Sequence, residues 1–120
     1  MLEIFILLVA FQVKHFICDY PLQNSYMLQK GNKDNWIIPL FTHSLVHSIG
    51  TFIIVCFINI KLAFILALLD LVLHFIVDRI KATQKFSIDN PYFWWALGLD
   101  QMAHHLINIL FVYIILIGVI

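Results

Sequence analysis

The chain alternates between long apolar stretches and short polar links. Residues 1–22 form the first stretch, with Glu3 near its start and Lys14 and Asp19 towards its end. Residues 36–60 contain no Asp, Glu, Lys or Arg. Residues 62–80 are interrupted by Asp70 and Asp78, and residues 91–120 hold Asp100 as their one acidic residue. A helix needs roughly 20 apolar residues to cross the hydrocarbon core of a bilayer. The pattern therefore predicts an all-α polytopic membrane protein: one domain over residues 1–120, built as a four-transmembrane-helix bundle with helices at about 1–22, 36–60, 62–80 and 91–120. Asp89-Asn90-Pro91 reads as an N-cap followed by proline at the first helical position. Pro39 falls in a first turn, where its missing N–H costs little, and Pro21 marks the end of the first helix. The first stretch has no basic residue ahead of its apolar run and no small-x-small cleavage site, so it reads as a helix of the mature protein.

Each stretch also carries polar side chains at helical spacing. They are His15-x-x-x-Asp19, His43-x-x-x-His47, Asp70-x-x-x-His74-x-x-x-Asp78 with Lys81 beyond, and Asp100-x-x-x-His104 with Asn108 a turn further on. Residues four apart share a helix face, so every helix has one polar stripe. His105 alone among the six histidines lies off it, about 100° around the helix. At about 1.5 Å per residue, His43 and His47 lie about 10 and 16 Å beyond Trp36. Asp70 and His74 lie about 12 and 18 Å into the third helix, Asp100 and His104 about 14 and 20 Å beyond Pro91, and His15 about 20 Å along the first helix. In an up-and-down bundle those depths coincide in one half of the membrane.

Composition agrees with the pattern. The chain is 62% hydrophobic and 12% charged, where a soluble domain is roughly half apolar and about a quarter charged. Its net charge of zero excludes an electrostatic footprint for nucleic acid. With four spans, Lys14, Lys30, Lys33, Arg79, Lys81 and Lys85 fall on one side and Lys61 alone on the other. The positive-inside rule makes the first side cytoplasmic. The expected localisation is a bacterial inner membrane, multi-pass, with both termini outward and the polar stripes towards the cytoplasm. Trp36, Trp94 and Trp95 fall at that interface, where amphipathic rings prefer to sit. The alternative is that some of these basic residues serve the site. Cys18 and Cys56 are expected about 25 Å apart in depth and so as free thiols, with Cys18 a spare ligand at most.

Aspartates at that depth cost roughly 2.5–3.5 kcal/mol each unless offset. One or two divalent cations would offset them, with zinc the best match to this His/Asp set and Mn or Fe the alternatives. The candidate ligands are His15, Asp19, His43, His47, His74, Asp78, Asp100 and His104. Helix bundles build di-metal sites from facing carboxylates and histidines in this way. A metal-free hydrogen-bonded network or a proton path uses the same residue types.

HFICDYPLQ, HSLVH, HFIVDRIK and DQMAHH, in this order on four apolar helices, resemble the bacterial and phage membrane family catalogued as domain of unknown function 3307. More distantly the chain is similar to membrane-bound metal-dependent hydrolases. The resemblance implies His15, Asp19, Gln23, His43, His47, His74, Asp78, Lys81, Asp100, Gln101 and His104 as motif positions; Asp70 is added by periodicity alone. The expected function is a metal-dependent hydrolase acting on a lipid or lipid phosphate at the cytoplasmic leaflet. Asp70 or Asp100 would serve as general base, and Lys81, with Arg79, would hold a headgroup phosphate. The bland reading of both basic residues is snorkelling anchors. Membrane lipids are the expected partners, and a homodimer is compatible with the few small residues at hand. Two other classes stay open. One is divalent-metal or proton transport; the other is a non-catalytic phage or bacterial membrane interaction protein.

Overall fold

The computed structural model describes residues 1–119, so the expected helix to residue 120 reaches one position outside the described residues. Four α-helices follow in order, α1 (Leu2–Asp19), α2 (Ile37–Cys56), α3 (Ile60–Thr83) and α4 (Pro91–Val119), and the described residues contain no strand. Helices α2, α3 and α4 are long and apolar enough to cross a membrane. Helix α1, with 18 residues, carries Glu3, Lys14 and Asp19.

Local chemistry sets the helix ends. Asn59 adopts an extended backbone and its side chain accepts the Leu62 N–H at 3.1 Å. This capping starts α3 at Ile60 and stops α2 at Cys56, short of the expected residue 60. Asn90 accepts the Tyr92 N–H at 3.0 Å beside Pro91, as its sequence predicts. The polar link between α1 and α2 contains a 3₁₀ segment (Met27–Gly31), opened by Asn24 accepting the Met27 N–H at 2.9 Å. Met27 is buried, and the Arg79 guanidinium donates to the Lys30 carbonyl at 3.0 Å while lying 3.7 Å over the Trp36 ring. The link is thereby folded back over one end of the bundle.

The helices form a ring in which α1 touches α2 and α4, and α3 touches α2 and α4. Neighbours run antiparallel. The interior has two levels. At one end Leu7, Phe11, Val55, Ala63, Leu66, Phe111, Val112 and Ile115 form an apolar core. At the other end the buried residues include His15, His43, His47, His74, Asp78 and His104. Between them sit Lys14, Thr51, Asp70 and Asn108, all buried. The outward faces are apolar, with Phe5, Ile53, Phe64, Leu68, Leu106 and Ile109 all exposed. The longest dimension, 46 Å, is close to the roughly 40–45 Å of a bilayer with its headgroup regions.

Candidate metal centre

The i, i+4 stripes bring histidines and aspartates from all four helices to one level. His15 Nε2 lies 3.1 Å from Asp19 Oδ2. Asp19 Oδ1 lies 2.7 Å from His47 Nε2 and 3.3 Å from His43 Nε2. His43 Nε2 is also 3.0 Å from Asp78 Oδ2, which makes it the bridge between two halves of the cluster. In the second half, His104 Nε2 lies 3.1 Å from Asp78 Oδ1 and 3.3 Å from Asp100 Oδ1. The imidazoles are stacked: His47 on His74 with centroids 3.9 Å apart, and His74 on His104 at 4.5 Å.

Three sets of donor atoms lie within 4.8 Å of one another: His15–His47–His74, Asp19–His43–His47, and Asp78–Asp100–His104. Together they include each of the eight ligand candidates named from the sequence. Ligand bonds of about 2.1 Å place neighbouring donors about 3.0 Å apart in an octahedron and about 3.4 Å apart in a tetrahedron. The spacings above fall mostly in that range. His43 is informative because its Nε2 lies within reach of carboxylate oxygens from two different helices, Asp19 on α1 and Asp78 on α3. It shares a donor set with Asp19 and His47.

His74 is held differently. Its Nδ1 lies 2.6 Å from Asp70 Oδ1, and its buried Nε2 has no partner among the described residues. If Nδ1–H donates to Asp70, Nε2 presents a lone pair to the cluster. A carboxylate behind a histidine is the usual way to fix the tautomer and orientation of a metal ligand. Asp70 itself is fully buried and accepts from Lys14 Nζ at 2.8 Å and from the Thr51 hydroxyl. Its two oxygens are therefore committed behind His74, away from the position a general base needs. By contrast, the Nδ1 atoms of His43, His47 and His104 have no such backing among the described residues.

Lys14 was counted among the charges of the basic side; it is instead buried and paired to Asp70. Space for it comes from Gly50, where an added Cβ would lie 2.8 Å from Lys14 Cγ. Arg79 does not reach the cluster, being held by Trp36 and the Lys30 carbonyl. Lys30, read from sequence only as a topological charge, does reach it. Its Nζ lies 3.4 Å from Asp78 Oδ2 and 2.9 Å from Gln23 Oε1, and Gln23 donates back to the Asp19 carbonyl at 2.9 Å. No spacing rule connects residue 30 to residue 78; the folded link does. Gln101 Oε1 is 3.2 Å from His15 Nε2. His105 packs its ring 5.6 Å from that of His15 without joining a donor set. Cys18 and Cys56 are free thiols, and Cys18 Sγ faces the Val46 carbonyl at 3.8 Å rather than the cluster.

The cluster opens at the end away from the apolar core. A cavity of about 250 Å³ there is lined by Asp19, Asp78 and Asp100, by Lys30 and Lys81, and by apolar groups including Tyr20 and Leu97.

No curated protein and no solved structure matches the chain significantly. A family model does, from residue 6 to residue 119, and so reaches all four helices and includes every residue of the cluster: the chain belongs to the family described as "Protein of unknown function (DUF3307)".

Proposed function

We propose that this chain is an integral membrane metalloprotein that hydrolyses a lipid phosphate or related lipid at the cytoplasmic leaflet, with one or two divalent ions, zinc foremost, held by His15, Asp19, His43, His47, His74, Asp78, Asp100 and His104. The observation that carries this reading is the convergence of three His/Asp donor sets from all four helices, each with its ligand atoms within 4.8 Å of one another. Charge supports the same reading. Lys14 answers Asp70, and Lys30 answers part of the charge of Asp19, Asp78 and Asp100. One divalent cation offsets the remainder, and a second would need an anion such as hydroxide or a substrate phosphate beside it.

A bound ion would polarise a phosphoryl oxygen and lower the pKa of its water. The chain's own residues then divide the work. Lys81 and Lys30 hold the phosphate, Asp70 orients His74, and Asp100, in the state where it is not spent on the ion, accepts the proton of the attacking water. In the hydrolysis the P–O bond to the lipid alcohol breaks, the water oxygen joins phosphorus, and a proton passes to the alcohol.

The same geometry supports a fourth span. Within α1, Lys14 is buried and neutralised by Asp70, Asp19 faces the cluster, exposed Glu3 lies in the first turn at the helix end, and outward residues including Phe5, Val13 and Phe16 are exposed and apolar. Both termini then lie outside and the cluster lies towards the cytoplasm. Transport is disfavoured because the layer of Leu7, Phe11, Leu66 and Phe111 closes the far end with no polar group.

The test is elemental analysis of detergent-purified protein, wild type beside the His43→Ala/His47→Ala variant. We expect one or two equivalents of transition metal, lost in the variant while helicity is kept, and phosphate release from a lipid phosphate by the loaded protein. Absence of metal from both samples after incubation with zinc or manganese would overturn the metalloprotein reading.

A further inference from the structure

A second cavity adjoins the polar one. It lies in the cleft between α3 and α4, has a volume of about 240 Å³, and is lined by Val77, Ile80 and Lys81 from α3, by Gln84 just beyond its end, and by Ala96, Leu99, Asp100 and Ala103 from α4. The α4 residues follow the i, i+3, i+4, i+7 spacing of one helix face, and Val77, Ile80 and Lys81 follow i, i+3, i+4 on α3. Two such faces normally interlock. Here Ala96 and Ala103 are too short to fill the space opposite Val77 and Ile80, so the cleft stays open. Ile80 and Leu99 are more than half exposed, at 56% and 57%, so the cleft faces the bilayer.

Lys81 and Asp100 line both cavities. The apolar cleft therefore runs into the polar pocket at those two residues. Lys81 is the cation at the junction, and among the described residues its ammonium has no hydrogen-bond or ion-pair partner. Lys14, Lys30 and Arg79 each have one. A larger groove between α1 and α2, about 650 Å³, lacks such a junction, because its one charged residue, Lys14, is turned inward onto Asp70.

We infer that the α3–α4 cleft holds the hydrocarbon chain of a single-chain amphiphile whose terminal phosphate sits on Lys81 in the polar pocket, entering sideways from the bilayer. The inference rests on the reading of that pocket as a metal-assisted phosphate site, and it narrows the substrate class to a membrane-embedded chain ending in a phosphate. Apolar lining fits the chain, the unpaired ammonium fits the head, and the open cleft supplies the route between them.

The experiment is photolabelling of the full chain in nanodiscs with a dodecyl phosphate carrying a terminal diazirine, followed by peptide mapping. Zinc content is measured on the same samples. Labels are expected on the α3 and α4 cleft residues, competed by unlabelled dodecyl phosphate and not by glycerol phosphate. Lys81→Ala should lower this labelling about tenfold, the effect of one charge-assisted contact, while labelling by the matching alcohol stays unchanged. Ala103→Trp, which fills the cleft, should abolish it. Labelling spread evenly over the outer surface, indifference to Lys81→Ala, equal competition by glycerol phosphate, or a cleft shielded by a second copy would each overturn the inference. Lys81-dependent cleft labelling of protein without metal would keep the chain site and remove the metal reading. Even labelling of metal-loaded protein would do the reverse.

Discussion

Lys14 is the residue whose environment matters most for stability. An ammonium and a carboxylate buried together hold each other, and removing one leaves the other charged and unpaired, at about 3–5 kcal/mol. Lys14→Met is therefore expected to lower the thermal stability of the detergent-solubilised protein sharply. In the double variant Lys14→Met/Asp70→Leu both charges are gone, and most of that stability should return. Metal affinity should not return, because His74 has lost the group that orients it. Outer-shell losses of this kind weaken metal binding by roughly 10–100-fold, and Asp70→Asn should fall in that range when titrated with zinc. Gly50→Ala tests the same pair without touching either charge. Its new methyl would meet the Lys14 stem at 2.8 Å, with an expected cost of about 1–3 kcal/mol. The depth of Lys14 in an apolar stretch is itself a signal that it needs a carboxylate; which carboxylate is not readable from spacing.

At the scale of elements, the stripes were the legible feature. A period of four on each helix names the face, and antiparallel order sets the level, so the eight ligand candidates and their common depth follow from local helix geometry. The link between α1 and α2 was not legible. Its 3₁₀ segment has no apolar period to announce it, and it is held by contacts to distant residues: Arg79 on the Lys30 carbonyl and on Trp36, and Lys30 on Asp78. Arg79→Ala removes a cation–π contact and a hydrogen bond, together about 1–2 kcal/mol of local stability. Faster hydrogen exchange over residues 27–31 is the expected result, with metal content retained because Arg79 does not touch the cluster. Loss of metal in that variant would mean that the link supports the ligands directly.

For the whole molecule, the question is which way the two-level bundle sits. With Lys14 buried against Asp70, the basic side keeps Lys30, Lys33, Arg79, Lys81 and Lys85 against Lys61, so the positive-inside assignment keeps its sign. Cysteine introduced at Lys85 in a Cys18→Ala/Cys56→Ala background should react with a membrane-impermeant maleimide only after the cytoplasmic face is opened. Cysteine at Lys61 should react from outside. The opposite pattern would put the His/Asp cluster towards the outer leaflet and overturn the proposed topology.

Helix type, membrane character and the membership of each polar stripe were determined by the sequence alone. They depend on apolar run length and on the constant rise and period of the α-helix, which are local quantities. Tertiary structure decided the rest. Helix rotation and packing chose Lys14 as the partner of Asp70, and so turned Asp70 from an expected base into the support of His74. The folded link carried Lys30 to Asp78. The mismatch of two alanines against Val77 and Ile80 left the α3–α4 cleft open. Each of these depends on how side chains from elements far apart in the chain meet, and a helical period contains no information about its neighbours.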